Sequence, residues 1–95
     1  MADWTQKLKL HHLKMLVALG EQGNLTQVAK MMHITQPALS KWLTQFEEEL
    51  GITLFERHSK GLRVSEGGKL LLQHAQRLIN DIERSQFEME RFKQG

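Results

Sequence analysis

Apolar residues recur with a helical period through almost the whole chain, and that period breaks once, between Gly51 and Ser65. A repeat of about 3.6 residues marks amphipathic helices, and alternation marks strands. The chain is thereby committed to helices with one small β insertion. A first helix is expected from about 9 to 21, with Leu10, Leu13, Leu16, Val17 and Gly20 on one face. Gly23 can take the left-handed conformation that ends it. Asn24 is a good N-cap for a second, two-turn helix ending near His33, in which Leu25, Val28, Ala29 and Met32 recur at i, i+3, i+4 and i+7. Thr35-Gln36-Pro37 opens a third. Thr35 can cap it, and Pro37 sits in the first turn, where its missing N–H costs little. Its apolar stripe is Leu39, Leu43, Phe46 and Leu50, and Gly51 stops it.

The break reads as a hairpin. Ile52, Leu54 and Phe55 begin a strand reaching about Arg57, His58 to Gly61 form a turn, and Leu62-Arg63-Val64 alternate as a returning strand. Ser65 caps a last helix running to about Lys93, roughly 40 Å long. That is too long to fold back on so small a body. Gly67 and Gly68 weaken its first turn by about 1 kcal/mol each against Ala, so close packing against the hairpin or the third helix must favour small residues there. The chain divides into a body, residues 1–64, and a projecting helix, 65–95.

Composition narrows the function. The 95 residues contain no cysteine, which excludes disulfides, thiolate metal sites and a cysteine nucleophile. The longest purely apolar run, Met15 to Leu19, is far too short for a membrane span or a signal peptide, so a cytoplasmic protein with no membrane partner is expected. His33, His58 and His74 make no i, i+4 pair, and the adjacent His11 and His12 cannot share a ligand, so they read as surface and no metal is expected. Gly68-Lys69 lacks the spacing of a phosphate loop. Asn24-Leu25-Thr26 matches a glycosylation sequon but reads as a cap. No side-chain set suggests catalysis, and no cofactor is expected.

The net charge is only +2, but it is unevenly spread. Arg57, His58, Lys60 and Arg63 crowd the hairpin, while the acids collect at Glu47-Glu48-Glu49. Stepping about 100° per residue around the third helix, the face opposite its stripe shows Pro37, Lys41, Thr44 and Glu48, flanked by Ala38, Ser40 and Gln45. The front half of that face suits the major groove of DNA: Gln36 can read adenine, Ser and Thr donate or accept, and Ala meets a thymine methyl. The helix N-terminus offers free N–H groups to a phosphate. Lys60, with Arg63 beside it, can reach phosphates or the minor groove. The three glutamates oppose the helix macrodipole, and Arg57 or Arg63 is expected to pair with Glu47. Two helices joined by a tight turn, then a hairpin, make a mainly α, winged helix-turn-helix plan.

Gly23-Asn-Leu-Thr-Gln-Val-Ala29, Ile34-Thr-Gln-Pro-Ala-Leu-Ser40, Phe46-Glu47 with Leu50-Gly51, Leu54-Phe-Glu-Arg57, and Gly61 through Gly68 follow one another in register. On these stretches residues 10–68 resemble the DNA-binding domain of LysR-type transcriptional regulators. The resemblance implies that Gln36, Pro37, Ala38, Ser40 and Lys41 meet base edges and nearby phosphates, with Thr35 at the start of the recognition helix. It implies that Asn24 and Thr26 contact the DNA backbone, that Lys60 enters the minor groove and that Arg57 is structural. It also implies a linker helix that pairs two protomers, and a protein continuing past Gly95 into a domain that binds a small-molecule effector. There are departures. Trp42 replaces a residue that is usually polar in the family and reads as half-buried packing, with a DNA or partner contact as the other reading. Lys41 is commonly Arg, and Lys lacks the planar fork that reads guanine.

In the last helix Leu71, Ala75, Leu78, Ile82, Ser85, Met89 and Phe92 step by alternate fours and threes, a heptad seam fit for a homodimer. Leu72, Ile79 and Phe87 flank it. The expected function is sequence-specific binding of double-stranded DNA at an inverted repeat, with higher oligomers open to a longer chain. The alternative is a helical protein-interaction module without specific DNA binding.

Overall fold

Three side-chain caps set where helices begin. In the computed structural model, which describes residues 3–95, Asn24 Oδ1 accepts from the Gln27 N–H at 2.9 Å, Thr35 Oγ1 from the Ala38 N–H at 3.2 Å and Ser65 Oγ from the Gly68 N–H at 3.0 Å. The elements that follow are a 3-10 turn at Trp4–Lys7, α1 (Leu10–Gln22), α2 (Leu25–Met31), α3 (Gln36–Leu50), β1 (Phe55–His58), β2 (Gly61–Val64) and α4 (Glu66–Lys93). Gly23 and Gly51 close α1 and α3 with φ of 62° and 78°, in the left-handed region that glycine enters without strain. His33 makes the turn between α2 and α3 with φ 59°, which brings the Ile34 N–H back to the Ala29 carbonyl at 3.0 Å.

The core lies between α1, α2 and α3. Leu16, Leu19, Val28 and Leu39 are fully buried, and Met15, Ala18, Leu25, Ala29, Leu43, Phe46, Leu54 and Phe55 complete the cluster. The apolar arc of α1 differs from the single stripe expected. Met15, Leu16, Ala18 and Leu19 are buried, whereas Leu10 is 40% exposed. Gly20 lies under the Leu72 side chain of α4, so that a Cβ there would sit 2.6 Å from Leu72 Cδ1. A helix packed against two partners buries two faces, and its apolar residues no longer fall on one line.

The strands pair antiparallel, with Phe55 opposite Val64 and His58 opposite Gly61. The first strand begins later than expected, because residues 52–54 have no strand to pair with. Instead the Thr53 carbonyl accepts from Ser65 Oγ at 2.5 Å and the Leu54 carbonyl from the Ser65 N–H at 2.9 Å. The start of α4 is thereby pinned to this segment. A Cβ on Gly68 would collide with the Leu54 carbonyl oxygen and come 2.9 Å from Val64 Cγ1, and one on Gly67 would come 2.6 Å from Ile52 Cγ2. The small residues at 67 and 68 let α4 approach the base of the hairpin rather than α3.

The last helix is neither wholly folded back nor wholly projecting. Ala75 and Ile79 are buried and Leu72 is partly buried against the body, while every residue from 80 to 93 is exposed. Ala75, which the sequence places in the dimer seam, is covered by its own chain. Leu71 is partly buried for the same reason. Leu78, Ile82, Ser85, Met89 and Phe92 stay exposed. Among the described residues no helix is long and apolar enough to cross a membrane.

Candidate nucleic-acid interface

The front of α3 faces outward because its other side is anchored. With Leu39, Leu43 and Phe46 buried, Pro37, Ala38, Lys41, Thr44, Gln45 and Glu48 are exposed, and Gln36 and Ser40 are partly exposed. Thr35, Asn24 and Thr26 are exposed beside them, the first two with their side-chain oxygens engaged as caps.

The wing is held to α3 at two points. Glu47 Oε2 accepts from the Leu54 N–H at 2.6 Å and the Phe55 N–H at 3.2 Å. Arg57 Nη2 donates to Ser40 Oγ at 2.9 Å. Ser40 and Glu47 are two turns apart on one face of α3; Ser40 meets Arg57 within β1, and Glu47 meets Phe55 at its start and Leu54 just before it. β1 thus runs back along α3 toward its N-terminal end, which carries the Lys60 turn to the side where the polar front of α3 is exposed. The Leu62 N–H donates to the Gly23 carbonyl at 2.9 Å, tying β2 to the turn between α1 and α2. At the tip Lys60 is exposed, and its N–H donates to His58 Nδ1 at 3.2 Å. Arg63 is exposed and stands opposite Glu56 across the hairpin.

These contacts correct the pairing expected for Glu47. Among the described residues neither Arg57 nor Arg63 pairs with it: Oε2 takes two backbone N–H groups, Arg57 turns to Ser40 and Arg63 stands opposite Glu56. Glu49 is paired instead with Lys7 Nζ at 2.6 Å. Of the three acids only Glu48 is left wholly to solvent among the described residues.

Behind the interface lies an aromatic stack that sequence reasoning missed. His12 stacks on Trp42 with centroids 4.6 Å apart, Trp42 on Phe46 at 5.1 Å, and Trp4 meets Phe46 edge-on at 5.9 Å. His12 is thus not simple surface. Burial, then the neighbouring His11 and Lys9, push its pKa below the ordinary histidine value. Its Nδ1 accepts from the Lys9 N–H at 3.0 Å at the start of α1. Trp42 is half-buried packing, as expected. The signal available in the sequence was that Trp4, Trp42 and Phe46 account for half of a small aromatic complement.

The profile of bacterial regulatory helix-turn-helix proteins of the lysR family matches residues 10–69. The chain belongs to the LysR family. This LysR-family chain is 43% identical over 84 residues to the HTH-type transcriptional regulator GbpR of Azospirillum brasilense, a match covering 86% of this chain and 25% of GbpR. It is 36% identical over 70 residues to the HTH-type transcriptional regulator PcaQ of Rhizobium radiobacter, covering 74% of this chain and 22% of PcaQ. It therefore spans a quarter or less of the length of these relatives. Among solved structures it superposes on the BenM DBD in its catB site 1 DNA complex with a TM-score of 0.84 at 33% identity, covering 93% of this chain and 99% of that one.

Proposed function

We propose that this LysR-family chain binds double-stranded DNA sequence-specifically, as a homodimer. The observation that carries the reading is the joint placement of the exposed front of α3 and the Lys60 turn, fixed by the Glu47 and Arg57 contacts. The BenM DBD, of the same fold, is bound to DNA. Gln36, Pro37, Ala38, Ser40 and Lys41 then read base edges in the major groove, with Thr44 and Gln45 at its margin. Asn24, Thr26 and Thr35 lie against the phosphate backbone, Lys60 enters the minor groove and Arg63 supports it on phosphate. The exposed line Leu78, Ile82, Ser85, Met89 and Phe92 pairs with a second copy, with Leu71 at its edge. Two-fold symmetry gives an inverted-repeat operator whose half-site centres lie about one helical turn apart, or a multiple of it. The domain works by binding rather than catalysis and acts on DNA in the cytoplasm. A small-molecule effector would belong to a part of a longer regulator outside residues 3–95.

A salt titration tests this. Log affinity for duplex is expected to fall linearly with log salt, by about 0.9 per neutralised phosphate, and Lys60→Ala is expected to flatten the slope by about one contact. Little duplex affinity at any salt would favour a helical protein-interaction module instead.

A further inference from the structure

Ser40 is the one residue of the expected reading face whose side chain is held by the wing. Its Oγ accepts from Arg57 Nη2, and among the described residues that is the single hydrogen bond the hydroxyl makes. Arg57 has no carboxylate partner among them, and its guanidinium can only donate. The strand that carries it is anchored: Phe55, two residues earlier, is buried, with its N–H on Glu47. A hydroxyl carries one donor and two acceptor lone pairs. With a guanidinium N–H on one of the two lone pairs, the Ser40 O–H must point elsewhere, and a bond to a charged donor strengthens that O–H as a donor and weakens the remaining lone pair as an acceptor.

The geometry points to Arg57 as a positioning residue that fixes the polarity of Ser40, so that Ser40 presents a donor to DNA and recognises an acceptor. The inference rests on the proposed DNA-binding role. The acceptors available are purine N7, guanine O6 and thymine O4 in the major groove, or a phosphate oxygen. Adenine N6 and cytosine N4 are donors and are disfavoured opposite it.

The test uses the duplex enriched from a random pool by this chain. Acceptor atoms are removed one at a time: N7 with 7-deazapurines, O6 with 2-aminopurine, O4 with 5-methyl-2-pyrimidinone and phosphate charge with methylphosphonates. One of these removals is expected to weaken binding roughly five- to a hundredfold and to cost Ser40→Ala nothing further. A base analogue places the acceptor on an edge; a methylphosphonate places it on the backbone. Ser40→Thr, which keeps the hydroxyl, is expected to restore the coupling. Arg57→Met is expected to shrink that coupling, whereas a merely structural Arg57 would weaken all duplexes alike and leave it intact. If every acceptor removal weakens Ser40→Ala as much as it weakens the unaltered chain, the donor assignment is wrong while DNA binding stands. If no duplex is enriched, both readings fall.

Discussion

Glu47 shows how far a single residue's role depends on its neighbours in space. In the sequence it is one of three acids facing a macrodipole; in the structure it caps the entry to β1. The helix caps Asn24, Thr35 and Ser65 were legible because a cap and its partner N–H lie three residues apart. The partner of Glu47 lies seven and eight residues away across a glycine turn, and the choice between two arginines and two backbone amides is made by the path of the chain. His12 was opaque for the same reason, since its stacking partner is thirty residues on. It yields a pH prediction. The folded state lowers the pKa of His12, so the unfolded chain binds more protons as pH falls, and stability must drop with acid. The contribution of neutral His12 is fully present above about pH 6.5 and is lost as pH falls below it. His12→Phe keeps a ring against Trp42 without titrating. Between pH 7.5 and 5 its thermal midpoint is expected to fall less than that of the unaltered chain; parallel falls would assign the acid sensitivity to other groups.

At the scale of elements, the helical period placed all four helices to within a few residues, because each buries a side against a neighbour. The start of the first strand was misplaced, since the apolar residues Ile52 and Leu54 look like strand but serve the junction between α3, the hairpin and α4. The glycines at 67 and 68 point to close packing against the hairpin or α3 without choosing between them. The structure identifies the close neighbours as the Leu54 carbonyl and the Ile52 side chain. Gly68→Ala is therefore expected to destabilise the fold by about 1–3 kcal/mol, as overpacking does. Gly67→Ala should cost less, because Ile52 is a side chain at the surface and can move. Thermal denaturation of the two variants checks the order, and equal melting would place the hairpin farther from α4 than described.

Over the whole molecule, α4 divides its apolar residues between two tasks. Leu72, Ala75 and Ile79 bind the body, and Leu78, Ile82, Met89 and Phe92 are left exposed. The sequence assigns one line to the dimer and sets Leu72, Ile79 and Phe87 beside it. Both lines repeat with helical spacing, so spacing alone does not show that Ala75 and Ile79 turn to the body. Leu78→Asp with Ile82→Asp alters side chains 56% and 47% exposed in the single chain, so the fold should survive. Sedimentation is expected to show monomers with an unchanged helical spectrum; a persistent dimer would put the interface elsewhere. The central claim joins this symmetry to the outward front of α3 and the wing beside it. It is tested most directly by selecting bound duplexes from a random pool. An enriched inverted repeat with half-sites about one helical turn apart, or a multiple of it, is the predicted result; a pool left unenriched, or enriched without two-fold symmetry, would contradict it.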